Sequence, residues 1–248
     1  MLSPIALAVI SATVVATSFL SGIFGMAGGM ILLGVLLVFL DVAPAMVLFG
    51  TIQAVANGWR AVLWRRYVRW DLVGRYVIGS ALAFLALRSV AFLPEKALVY
   101  VFIGVLPFLV YALPRKLAPD ITRPGIPYVC GALIMLVQLF GGVAGHLLDQ
   151  FFQASRLDRR TVVATKGFTQ VIAHLFRIAY FSSFAAAFEV EIPWWVYVTA
   201  VTLAILGTTL AARVLERMTD TSFRRWSKRI VLTVSVIYII RGVWLVIA

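Results

Sequence analysis

The chain has 248 residues, 62% of them hydrophobic and only 13% charged, with a mean hydropathy of +1.01. A soluble core of this size has no use for so much apolar surface, so the composition specifies an all-α polytopic membrane protein. The formal charge of +12 would suggest nucleic acid in a soluble protein, but the basic residues cluster between apolar runs, as in cytoplasmic loops, and no nucleic-acid-binding motif accompanies them.

Other classes fall away as quickly. The alternating strands of a membrane barrel are absent. Cys130 is the only cysteine, and His146 and His174 are the only histidines. An intrachain disulfide is therefore excluded and a dedicated zinc site is not expected. There is no Walker loop, so ATP is not used directly, and no cofactor is expected.

The first apolar run, residues 4–40, has no Lys or Arg before it and is expected to be retained rather than cleaved. It is too long for one crossing, since about 20 residues span the hydrocarbon core. Glycines break it at Gly22-Ile-Phe-Gly25-Met-Ala-Gly28-Gly29. A broken helix leaves backbone N–H groups free, and its half-helix N-terminus carries partial positive charge. Gly25, Gly28 and Gly29 are therefore candidate anion-binding positions.

Run 44–63 fits one crossing and carries Thr51, Gln53, Asn57 and Arg60. Gln53, Asn57 and Arg60 are spaced 4 and 3 and share one helical face. Runs 72–93 and 96–113 each fit one further crossing, and residues 114–124 read as a cytoplasmic linker. Run 125–153 is again too long, and it breaks at Gly141, Gly142 and Gly145. His146, Asp149 and Gln150 follow the break. Asp149 is the only acidic residue deep in an apolar run, expected to pair with Lys166 or Arg177, or to relay a proton with His146 and His174.

Run 161–181 carries Lys166, Gln170, His174 and Arg177, spaced 4, 4 and 3 on one face. Cationic groups in hydrocarbon cost several kcal/mol unless they face protein, water or a counter-ion, so this stripe is expected to line a path for an anion. Arg177 could hold an oxyanion through two parallel N–H bonds, and Thr165 could add a hydroxyl. Runs 193–213 and 230–247 complete the crossings.

Charge bias decides what the broken runs do. If 125–153 crossed once, the loops around Arg156–Arg160 and Arg224–Arg229 would fall outside. If it enters, turns and returns, every basic loop lies inside, and Glu189 and Glu191 lie outside. Phe24-Gly25 with Gly29 also matches Phe140-Gly141 with Gly145, and Thr51 matches Thr165. The preferred reading is therefore two inverted repeats, residues 1–113 and 125–248, each a glycine-broken re-entrant element plus three transmembrane helices. The rival is eight spans with parallel halves.

Several stretches carry a family resemblance. They are Gly22-Ile-Phe-Gly-Met-Ala-Gly-Gly29, its echo Phe140-Gly-Gly-Val-Ala-Gly145, Val163-Ala-Thr-Lys166 and the 50–71 segment. Together they resemble the sulfite exporter TauE/SafE family over most of the chain. Met30 and His146 stand where that family often has a third glycine, and no proline follows. The resemblance implies a multi-pass permease of the bacterial inner membrane for sulfite, thiosulfate, sulfonates or related anions. The partners then expected are a small anionic substrate and the lipid bilayer, with no nucleic acid, and a homo-oligomer is compatible. The readings kept beside it are an anion channel and an integral-membrane lipid-modifying enzyme.

Overall fold

The computed structural model describes residues 3–24, 27–114, 118–185, 192–215 and 220–247. Gly25, Arg115, Lys116, Glu189 and Glu191 lie outside the described residues. The described chain is helical: α1 (Pro4–Phe24), α2 (Ala27–Phe39), α3 (Val42–Leu63), α4 (Trp70–Val90), α5 (Lys96–Ala112), α6 (Ile126–Gly141), α7 (Gly145–Gln153), α8 (Arg159–Ala185), α9 (Trp194–Leu215) and α10 (Asp220–Ile247). Within these helices five stretches, Pro4–Ile23, Val42–Leu63, Trp70–Val90, Trp194–Ala211 and Lys228–Ile247, are long and apolar enough to cross a membrane.

Each predicted single-crossing run is one helix, and each long run is two. Side-chain contacts sort the helix ends into two sets. At one end, Arg160 donates to the Tyr67 hydroxyl (3.0 Å) and lies over the Trp64 and Tyr67 rings, while Lys228 lies over Tyr111. At the opposite end Lys96 pairs with Asp41 (3.6 Å), and the Tyr180 hydroxyl donates to the Phe92 carbonyl (2.6 Å). Arg65, Arg66, Arg69, Arg156 and Arg160 all sit with the first set, which we call the basic end.

The second broken run goes in and comes back. The α6 helix leaves the linker at the basic end and brings Phe140 against Phe92, ring centroids 4.6 Å apart, at the far end. The chain then reverses at Gly142, where φ is +76°, a left-handed conformation that costs a residue with a Cβ and suits glycine. The short α7 returns to the basic end, where the Ile121 N–H donates to the Phe151 carbonyl (3.1 Å). The α1–α2 pair is also a hairpin. Gly28 at the start of α2 lies against the Thr17 carbonyl and Ser21, and α2 ends beside Asp41 at the far end.

Four helix pairs carry most of the packing: α3 with α8, α5 with α10, α1 with α9, and α4 with α6. The first is antiparallel, since Gly50 meets Ile178 and the His174 carbonyl, while Gly167 meets Ala61 and the Asn57 carbonyl. The second is antiparallel too, with Gly104 against the Ser235 carbonyl and Gly242 against the Ala97 carbonyl. The α4–α6 crossing is backbone on backbone. Gly79 faces the Tyr128 carbonyl, Gly131 faces the Tyr76 carbonyl, and the Ser80 hydroxyl donates to the Gly131 carbonyl (3.1 Å). Small residues permit this close approach, which supplies the dispersion that holds helices together in lipid.

Four helices begin earlier than the hydropathy pattern suggests, α3, α4 and α8 by two residues and α10 by ten. The α10 helix runs through a basic stretch read from sequence as a loop, because Arg, Lys and Trp are adequate helix formers and leaving the hydrocarbon does not end a helix. The α8 helix starts at Arg159 because Asp158 caps it. Its carboxylate accepts from the Thr161 hydroxyl (2.5 Å) and from the N–H groups of Arg160 and Thr161. These bonds, the Thr161 hydroxyl first, hold the Asp158 carboxyl below the usual carboxylate range.

Candidate functional site

A cavity of about 130 Å³ lies between α3, α8, the N-terminus of α2 and the α6–α7 turn. That is roughly ten times the ~10–15 Å³ needed to admit one water. Polar side chains come from three directions: Gln53, Asn57 and Arg60 on α3, Lys166, Gln170 and His174 on α8, and Gln138 on α6. Backbone completes the wall at Gly29 and at Gly142 to Gly145. The i, i+4 and i+7 spacing on α3 and the i, i+4, i+8 spacing on α8 explain why these residues converge. Two antiparallel helices bring their polar stripes face to face.

The cavity opens toward the basic end. Arg60, Val162, Val163 and Lys166 lie there, and Val163 is 36% exposed. The other end is sealed. Beyond His174 come Arg177, Tyr180 and Phe181, each 0% exposed, with Phe84 packed on Tyr180 and Phe176 on Phe84.

The site is rich in donors. Among the described residues no carboxylate lines it, whereas seven of its side chains carry N–H groups. Three of those groups are buried with no partner: Arg60 Nε, Gln138 Nε2 and Gln170 Nε2. A buried donor without an acceptor costs about 1–3 kcal/mol, so a cluster of them marks a place where an acceptor belongs. The guanidinium of Arg177 can only donate, so His174 Nδ1, 3.1 Å from Nη1, must accept. The ring proton of His174 then sits on Nε2, one more donor. Gly29 lies in the first turn of α2, and Gly145 opens α7, so two half-helix N-termini add partial positive charge to the wall.

The expected site residues divide. Gly29, Gln53, Asn57, Gly142, Gly145, Lys166, Gln170 and His174 come together around the cavity. Thr51 turns back to donate to the Val47 carbonyl (3.0 Å), as threonine in a helix often does. Thr165 accepts from the Arg69 N–H (3.1 Å) and fixes the 65–69 turn against α8. Gly28 packs on α1 and Gly141 on Phe102. Asp149 binds Lys166, not Arg177. His146 lies edge-on to Tyr111 (6.0 Å). Among the described residues, no hydrogen bond joins any two of His146, Asp149 and His174.

Arg177 is placed differently from its expected role. It is wholly buried behind the cavity floor. It donates to the Gln138 carbonyl and Oε1, the Gly142 carbonyl and His174 Nδ1, and it lies 4.9 Å over the Phe49 ring. All of these partners are neutral. Its charge reaches the cavity through the floor residues it orients, not by contact.

Two lining residues were undervalued in the sequence. Gln138 lies outside the expected set, although a lone amide in the middle of the apolar 126–141 stretch is a signal. Arg60 shares the face of Gln53 and Asn57 in the sequence, and its Nη2 donates to Asn57 Oδ1 (2.8 Å) and its Nη1 to the Ser21 carbonyl (3.4 Å).

The family model described as "Sulfite exporter TauE/SafE" matches residues 9–240, nearly the whole chain. No curated protein and no solved structure matches the chain.

Proposed function

We propose that this chain, which belongs to the sulfite exporter TauE/SafE family of membrane transporters, exports small sulfur-containing anions such as sulfite, thiosulfate or sulfonates through the α3–α8 cavity. The family is one of transporters, so the lipid-modifying enzyme reading gives way. The observation that carries the proposal is the set of unpartnered N–H groups on Arg60, Gln138 and Gln170 in a cavity that, among the described residues, no carboxylate lines. An oxyanion offers several lone pairs in a small volume and would satisfy these donors together.

In this reading the anion enters from the basic end past Arg60 and Lys166. The amides of Gln138 and Gln170 and the Nε2–H of His174 replace its water shell. Arg60 and Lys166 supply the full charges, and the anion competes with Asp149 for Lys166. The seal of Arg177, Tyr180 and Phe181 favours a carrier over an open channel, because a cavity closed at one end requires a conformational step. Exchanging α1 with α6, α3 with α8, α4 with α9 and α5 with α10 maps the four main helix pairs onto one another. That relation, with the antiparallel α3–α8 and α5–α10 pairs, supports two inverted repeats, 1–113 and 125–248, joined by the 114–124 linker. Alternating access by rocking of such halves is their usual use.

Basic loops favour the cytoplasmic side, so the basic end is placed inside, in a bacterial inner membrane. An inside-negative potential then drives a monovalent anion outward by about 2.3 kcal/mol per 100 mV, without fuel. Labelled sulfite, thiosulfate, taurine and sulfoacetate loaded into proteoliposomes test the function. Saturable efflux with counterflow of at least one is expected, and no flux of any would overturn the proposal. Cysteine labelling tests the orientation. Cys130 is buried and should stay silent. A cysteine at Ser155 should react with an impermeant maleimide only in inverted vesicles, and one at Ser89 only in intact cells. The reverse pattern would invert the assignment.

A further inference from the structure

A second cavity lies on the outer surface of the bundle, between α2, α5 and α10. It has a volume of about 340 Å³ and apolar walls from Ile31, Val35, Val38, Val234 and Ile237. Its floor is the faces of Tyr100 and Tyr238. Both hydroxyls are already spent inward: Tyr100 donates to the Gly34 carbonyl (2.9 Å) and Tyr238 to the Met30 carbonyl (2.6 Å). The groove therefore offers hydrocarbon contact and no hydrogen bonds, which suits an alkyl chain.

One charged residue interrupts this apolar surface. Arg241 closes the groove at the end away from the basic loops. It lies six residues before the end of α10, about 9 Å along the axis. Its guanidinium stacks 4.5 Å over the Trp244 ring, the pose of a side chain reaching for the headgroup level. Among the described residues no carboxylate pairs with it, and Asp41, three residues past the groove-lining Val38, is paired with Lys96. A cation at the headgroup level meets the phosphates of the lipids as its counter-charge, and anionic lipids most strongly.

We propose that the α2–α5–α10 groove is a binding site for an anionic phospholipid, with one acyl chain along Val35, Val38 and Ile237 and the phosphate on Arg241. The lipid would rest on the half-helix that builds the transport cavity. Tyr238 beneath the chain holds the carbonyl of Met30, and the neighbouring Gly29 lines that cavity. Occupancy of the groove thus bears on the position of the α2 N-terminus.

The full chain, purified in micelles containing equal phosphatidylglycerol and phosphatidylcholine, tests this by native mass spectrometry. One phosphatidylglycerol per chain should be retained, with a preference of about fivefold, the size expected for one cationic contact near the surface. R241Q should abolish the preference, and I237W, which fills the groove while keeping Arg241, should lower retention of both lipids. Equal retention of the two lipids by the wild-type chain, a measurement that needs no variant, would overturn the proposal. So would an undiminished preference in R241Q, or displacement of the bound lipid by excess glycerol phosphate, which would mark a site for a soluble phosphate. None of these readouts depends on transport.

Discussion

Replacement of Arg177 by methionine should destabilise the protein more than any other single change around the cavity. The guanidinium is the common donor for the Gln138 carbonyl and side-chain oxygen, the Gly142 carbonyl and His174 Nδ1. Methionine fills much of the volume and removes every donor. Removal of a buried charge recovers its desolvation cost, and that gain can equal the loss when all partners are replaced together. Here the partners stay: the Gln138 carbonyl keeps the Gly142 N–H (2.9 Å), but Gln138 Oε1, the Gly142 carbonyl and His174 Nδ1 lose their donor, and each stranded acceptor costs about 1–3 kcal/mol. The sum is less than additive, and a net loss of about 3 kcal/mol is expected. For a chain of this length that lowers a melting midpoint by roughly 6–12 °C. R177K should recover less than half, because an ammonium keeps the charge but cannot span carbonyl, amide and imidazole in one plane. A thermal ramp in detergent followed by size exclusion measures both. A methionine variant within about 2 °C of wild type would show that the turn is held by something else.

The helix order was legible because hydrocarbon is an unforgiving solvent. Residues 44–63, 72–93, 96–113, 161–181, 193–213 and 230–247 announce themselves by length and apolarity, and each is a helix. The return of 125–153 was legible from charge bias, which depends only on which loops are basic. Local spacing resolves less. The four-residue stripe on α8 defines one face, but a face extends along the helix further than a cavity does. From Lys166 to Arg177 is about 16 Å, and the last member lies past the floor. Spacing also cannot say which acceptor a side chain will prefer. The hydroxyls of Thr51 and Thr165 and the glycines at 28 and 141 lie next to cavity residues in sequence, yet serve helix and turn packing. Gln138 shows the converse. Its importance comes from the turn at Gly142 folding α6 against α8, a tertiary event that no window of sequence contains.

Q170L and K166L should each lower anion flux at subsaturating concentration in proteoliposomes by about tenfold or more while leaving insertion and elution profile unchanged, and the pair discriminates between two meanings of a polar stripe. Gln170 is 8% exposed, and its Nε2 has no partner. Leucine keeps its bulk and removes a donor that the folded protein alone does not use. Stability should therefore hold or rise, while affinity for an anion falls by the 1.5–3 kcal/mol typical of a bond to a charged group, about 10–150-fold. Lys166 is less simple, because it holds Asp149. K166L removes a cation and leaves a carboxylate, 28% exposed, beside the cavity, so loss of flux alone could reflect repulsion by that carboxylate. The double variant K166L/D149L separates the causes. If Lys166 serves only to neutralise Asp149, removal of both restores flux. If Lys166 meets the cargo, flux stays lost, and D149N alone should lower the KM, because the anion no longer has to displace a competitor from the ammonium. Unchanged flux in Q170L together with recovery in the double variant would leave the stripe as packing and remove the basis for placing the path there.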